Sequence, residues 1–126
     1  MRSQLIRLSL VFLASSTGLS TAVYSQETQA IEVTGSRGVQ LSKPALSREY
    51  DYLIVRIAVT NKRSAELEYV FIDCDGFAAD GTPIETDSTM VEATPPGKTT
   101  IAEADFSNWS AIHDIRCRIT DVEEVN

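Results

Sequence analysis

Basic residues, histidine and cysteine are scarce in this chain, and each scarcity closes off a class of function. Eleven Lys and Arg stand against 18 Asp and Glu among 126 residues, a net charge of −7. Nucleic-acid binding rests on clustered Lys and Arg that neutralise phosphates, and here the basic residues are scattered, so no nucleic-acid partner is expected. The acidity serves solubility through mutual repulsion. One histidine and two cysteines do not supply the four closely spaced ligands of a tetrahedral zinc site. No Gly-x-Ser-x-Gly elbow marks a nucleophile. No stretch sustains helical periodicity, there is no internal repeat, and only one long apolar run occurs.

That run opens the chain. Arg2 and Arg7 flank the start of an apolar stretch over Leu5 to Leu13, and small residues follow up to Val23-Tyr24-Ser25. These are the three parts of a secretory signal. Ser15-Ser16-Thr17-Gly18 interrupts the run, which is too short for the roughly 20 apolar residues of a membrane span. Residues 1–25 are therefore expected to be a cleavable signal peptide, cut after Ser25 or, as second choice, Ala22; the alternative is a retained N-terminal core helix. Cleavage leaves one domain over 26–126, with 26–30 as a flexible polar leader. It removes Arg2 and Arg7, leaving nine basic residues against 18 acidic ones, a net charge of −9. The protein is expected in the periplasm or secreted, with no integral membrane segment in its mature chain.

Both cysteines, Cys74 and Cys117, lie in the exported part. An oxidising compartment predicts a disulfide between them, because such bonds persist there and a small domain gains from one. Free buried thiols and half of a metal site are the alternatives.

Period-two alternation dominates the chain from residue 31 onward. Ile31 to Leu41 reads as one bent or two short strands. From Tyr52 to Thr60, Leu53, Val55, Ile57 and Val59 share a face. From Leu67 to Ala79, Val70, Ile72, Cys74 and Ala78 do so, with Tyr69, Phe71 and Phe77 opposite. Asp80-Gly81 is a hairpin signal and Pro95-Pro96-Gly97-Lys98 a turn. Further strands are predicted over Pro83 to Val91, Thr99 to Ala104 and Ile112 to Val122, the last with Ile115, Cys117 and Ile119 on one face. The spacing predicts an all-β antiparallel sandwich of about seven strands, with each cysteine among the apolar residues of its strand.

Candidate chemistry is sparse. His113 beside Asp114 suggests a hydrolase, but a triad needs nucleophile, base and orienting acid to converge in space. Asp73-Cys74-Asp75-Gly76 with Asp80, Gly81 and Glu85 resembles a calcium loop, yet the EF-hand spacing puts Phe71 and Thr82, or Gly76 and Asp87, where an aspartate and a glutamate belong. Asp73 and Asp75 then read as outward positions of a half-exposed strand. Phe106, Trp109 and Ile112 form an apolar cluster in a connector, and Tyr50 with Tyr52 an aromatic pair. Either suits a partner contact, since aromatics are enriched at binding hot spots; the alternative is that Trp109 plugs an open end of the core. Asn108-Trp109-Ser110 matches the glycosylation acceptor pattern, which matters only in a host that uses it.

Several motifs occur in a telling order: Val55-Arg56-Ile57-Ala58-Val59-Thr60-Asn61, Val70 to Phe77, Asp80-Gly81-Thr82-Pro83-Ile84, Pro96-Gly97-Lys98-Thr99 and Cys117-Arg118-Ile119. Over residues 50–122 this order resembles the FxLYD-like domains of bacterial envelope proteins, with Phe77-Ala78-Ala79-Asp80 in the place of the family signature. The resemblance implies an immunoglobulin-like sandwich and carries over no catalytic residue. The expected protein is a non-catalytic binding or accessory module with an envelope protein as partner and no cofactor. The rivals are a small hydrolase or metal-dependent enzyme using His113 with nearby acids, and a purely structural protein.

Overall fold

A computed structural model describes residues 3–7, as backbone only, and residues 30–126. Among the described residues eight strands occur in order: β1 (Ser3–Arg7), β2 (Ala30–Thr34), β3 (Val39–Glu49), β4 (Tyr52–Asn61), β5 (Leu67–Phe77), β6 (Pro83–Thr94), β7 (Thr99–Phe106) and β8 (Asp114–Glu124). A single 3-10 turn over Trp109–Ala111 joins β7 to β8. Of the expected export segment, only 3–7 are described; the two cleavage positions, Ala22 and Ser25, and leader residues 26–29 lie outside the described residues. Ala30, expected in the leader, opens β2. No helix among the described residues is long and apolar enough to cross a membrane.

Strands β2 to β8 form two sheets, β2-β8-β5-β6 and β3-β4-β7, and β1 adds to the outer side of β2. All neighbours run antiparallel except β2 and β8, which pair in parallel from Ala30 opposite Asp114 to Thr34 opposite Arg118. The first strand of the sandwich thus lies beside the last.

One core fills the space between the sheets. Ile31, Val33, Val70, Ile72, Cys74, Ile115 and Cys117 come from one side, and Val55, Ile57, Val59, Ala102, Ala104 and Phe106 from the other. Alternation therefore reported the inward face correctly on β4, β5 and β8. On β4 the opposite face is covered as well, with Ile54 and Ala58 buried. Between them Arg56 bridges two strands, to Glu49 on β3 at 3.0 Å and to Glu103 on β7 at 2.9 Å. On β5 the inward series continues through Gly76 rather than Ala78. The register shifts between Gly76 and Phe77, which leaves Ala78 half-buried beyond the strand.

Cys74 and Cys117 are directly opposite on β5 and β8, with Cα atoms 4.0 Å apart, and are disulfide-bonded. Both are buried within the core, as the sequence pattern placed them. The bond clips two neighbouring strands of one sheet. At the Asp80-Gly81 turn, Gly81 has a φ of +91°, and Asp80 accepts the Thr82 N–H at 2.9 Å. This hydrogen bonding, with the Thr82 side chain contributing most, holds the Asp80 carboxyl below its ordinary pKa.

Candidate functional site

The two aromatic clusters of the sequence meet at one end of the sandwich. The β3–β4 hairpin turns there through Tyr50 and Asp51, and its register sets Leu53 opposite Phe106, just before the Trp109 turn. Tyr50 is 98% exposed and holds a φ of +57°, the left-handed region that bulky residues rarely adopt. Tyr52, 46% exposed, follows it. The Arg48 guanidinium lies over the Trp109 ring, 3.5 Å from its centroid. At the same end the Arg116 guanidinium stands 4.9 Å from the Phe77 ring centroid. Stacked guanidinium and exposed phenol suit recognition of an amphipathic partner, because each offers an apolar face and a polar edge.

The three contact candidates divide. Phe106 and Ile112 are buried in the core, and Trp109 is half-buried, packed against that core and capped by Arg48. Trp109 therefore both plugs the end of the core and presents surface. Asn108 of the acceptor pattern is exposed, and its main-chain N–H donates to Glu85 Oε1 at 2.9 Å.

His113 is half-buried. Its main-chain N–H donates to Phe77 O at 2.7 Å, and its Nδ1 lies 3.3 Å from Asp114 Oδ1 without making a hydrogen bond. The hydroxyls of Ser47, Ser88, Ser107 and Thr86 bond to Glu49, Asp73, Glu85 and Asp75 respectively. The acids of the supposed calcium loop are also engaged, since Asp73 and Asp75 face outward and both pair with Arg118. No cluster of potential metal ligands occurs among the described residues.

Beside them the outer face of β5, β6 and β8 carries an open groove of about 510 Å³, lined by Phe71, Met90 and Thr120 and rimmed by Asp73, Asp121 and Glu123.

Sequence reasoning missed two features. Glu85 and Asp87, on the inward phase of β6, reach the edge of the facing sheet: Asp87 accepts the Asp105 N–H at 2.8 Å, and Glu85 accepts those of Ser107 and Asn108. Acids on the inward phase of a strand are a legible sign of a protected edge. Arg48 carried no signal, because its stacking on Trp109 joins distant parts of the chain.

The fold and this end define a disulfide-bonded all-β sandwich with an aromatic, cation-bearing tip. Comparison with protein-family models, with curated proteins and with solved structures finds no match to the chain.

Proposed function

We propose that this protein is an exported, non-catalytic binding or accessory module of the periplasm or cell envelope, and that residues 1–25 are its signal peptide. The observation that carries the reading is the buried Cys74–Cys117 disulfide, which joins the only two cysteines of the sequence inside one core. Such bonds persist in oxidising compartments and are rare in the cytosol. The tip of Tyr50, Tyr52, Arg48 and Trp109 supports a binding role, with an envelope protein as partner. We also infer kinship with the FxLYD-like domains. Its support is the order of strand and turn motifs, together with an immunoglobulin-like alternation in which the chain crosses between sheets after β2, β4, β6 and β7.

Intact mass of the protein recovered from a bacterial periplasm, before and after reduction and alkylation, tests export. A chain starting at Gln26 with two thiols masked until reduction is the expected result; an uncleaved chain or two free thiols overturns it. Capture from envelope extract then tests binding. A specific protein partner lost on Trp109→Ala supports the module, whereas substrate turnover lost on His113→Ala overturns the non-catalytic reading.

A further inference from the structure

A two-sheet sandwich has four edge strands, and an unprotected edge is a template for another strand. Three of the four edges here are blunted. On β3 the register shifts between Ser42 and Ala45, Lys43 takes a φ of +49°, and Pro44 has no N–H to offer. The β6 and β7 edges are tied together by Glu85 and Asp87, whose carboxylates occupy the N–H groups of Asp105, Ser107 and Asn108.

The outer edge of β2 carries no such device. Ala30-Ile31-Glu32-Val33-Thr34 has no proline and pairs with β8 without a register shift, and Ile31 and Val33 anchor it in the core. In the full chain this edge is occupied. Strand β1 runs antiparallel along it in unbroken register, from Ser3 opposite Thr34 to Arg7 opposite Ala30.

We propose that the outer edge of β2 is a strand-acceptor site, filled by Ser3–Arg7 before the export segment is removed and taken in the exported protein by one antiparallel extended segment of a cationic partner protein. The proposal deepens the binding-module reading and rests on it. Main-chain hydrogen bonds along β2 supply affinity, and alternate side chains supply selectivity. Positions opposite Ile31 and Val33 lie on the core side and favour apolar residues; the position opposite Glu32 lies on the solvent side and favours Lys or Arg. A second copy of this chain fits poorly. The two-fold register that pairs the whole of β2 with itself sets Glu32 against Glu32, and each exported copy carries nine basic residues against 18 acidic ones.

The test uses the periplasm-recovered protein and a synthetic peptide with the sequence of residues 2–8. Amide resonances of Ala30–Thr34 are expected to shift on titration. A peptide carrying Leu5→Lys, which sets a cation opposite Glu32, is expected to bind more tightly at low salt, and Glu32→Lys in the protein to reverse that preference. Two further peptides, N-methylated at Leu5 or at Ile6, separate the two backbone phases: one loses affinity at least tenfold and the other keeps it. Absence of shifts at Ala30–Thr34 with millimolar peptide, or shifts confined to the Trp109 end or the Phe71–Met90 groove, overturns the edge proposal and leaves the module reading standing. Concentration-dependent shifts at β2 with a dimer mass and no peptide overturn it in favour of a second copy. A chain that retains residues 1–25 overturns both readings.

Discussion

Asn61 Nδ2 donates to the carbonyl of Thr94 at 2.9 Å, and both residues are buried. The same amide donates to Ala65 O at 2.9 Å and accepts the Arg63 N–H at 2.8 Å, while the Asn61 main chain bonds to Gly97 and Lys98. One side chain thus closes the β4–β5 turn and ties it to the end of β6, just before the β6–β7 turn. Asn61→Ala leaves a buried carbonyl and an N–H without partners, so a loss of about 3 kcal/mol is expected, read as a lower urea midpoint at unchanged slope. Asn61→Asp should cost more at neutral pH, since a carboxylate cannot donate to either carbonyl and sets a buried negative charge against both oxygens.

Gly76 leaves room for Ile112. A Cβ at position 76 meets Ile112 Cδ1 at 2.7 Å, Cγ1 at 3.0 Å and Cγ2 at 3.3 Å. Gly76→Ala is expected to destabilise by about 1 to 3 kcal/mol through overpacking. In the Ile112→Ala background the same substitution should cost much less, so a double-mutant cycle returns a coupling of about 1 kcal/mol or more. Additive losses would show that the two residues do not crowd each other.

The disulfide closes a loop of 43 residues, worth about 4 kcal/mol in the chain-entropy treatment. Denaturation with and without reductant should reveal a loss approaching that figure. The loss should vanish in a Cys74→Ala, Cys117→Ala protein, which is already without the bond.

Acidic crowding gives a pH signature. Partial desolvation first, and then the charges of Glu103 and Asp87, raise the carboxyl of the exposed Asp105 above its ordinary value of 3.8, with Glu49 adding to the rise and Arg56 opposing it. The folded state therefore holds this proton more tightly than the unfolded chain does. The stability it confers is present below 3.8 and is lost as pH rises through the folded value. Asp105→Asn should melt higher than the parent at neutral pH, and the gap should close on acidification.

Glu49 has the opposite sign. Hydrogen bonds from Arg56 and then Ser47 hold its carboxyl below 4.5, so its stabilisation is present above that value and is lost as pH falls through the folded one. Glu49→Gln should melt lower than the parent at neutral pH and match it in acid. Melting curves of both variants across this range check the pair.

The strands were legible in the sequence because burial of one face imposes period two, and every strand from β4 to β8 was anticipated within a few residues of its ends. The disulfide was legible from compartment and phase together. The tip was half legible: Tyr50, Tyr52 and Trp109 stood out as aromatics in turns, but burial divided Phe106 and Ile112 from Trp109. What joins the halves, Arg48 on Trp109, depends on which strands pair, and alternation carries no information on pairing. Glu85 and Asp87 were read only as failed calcium ligands, because their work is done on a sheet that the local sequence does not describe. Strict alternation carries the inner face through Gly76, and Ala78 drops out of it because the register shifts between Gly76 and Phe77 and the strand ends there.

The parallel seam between β2 and β8 sets the order in which the molecule can be completed. A chain that emerges N-terminus first presents Ala30–Thr34 early and Asp114–Arg118 almost last, so β2 waits without its neighbour while most of the sandwich is delivered. Cys74 waits likewise for Cys117. Such non-local closure is slow, and no truncated intermediate holds the finished sheet. The arrangement makes the final strand the keystone of its sheet: β2 and β5 flank β8 on either side, and neither gains that neighbour until the last segment of the chain is delivered.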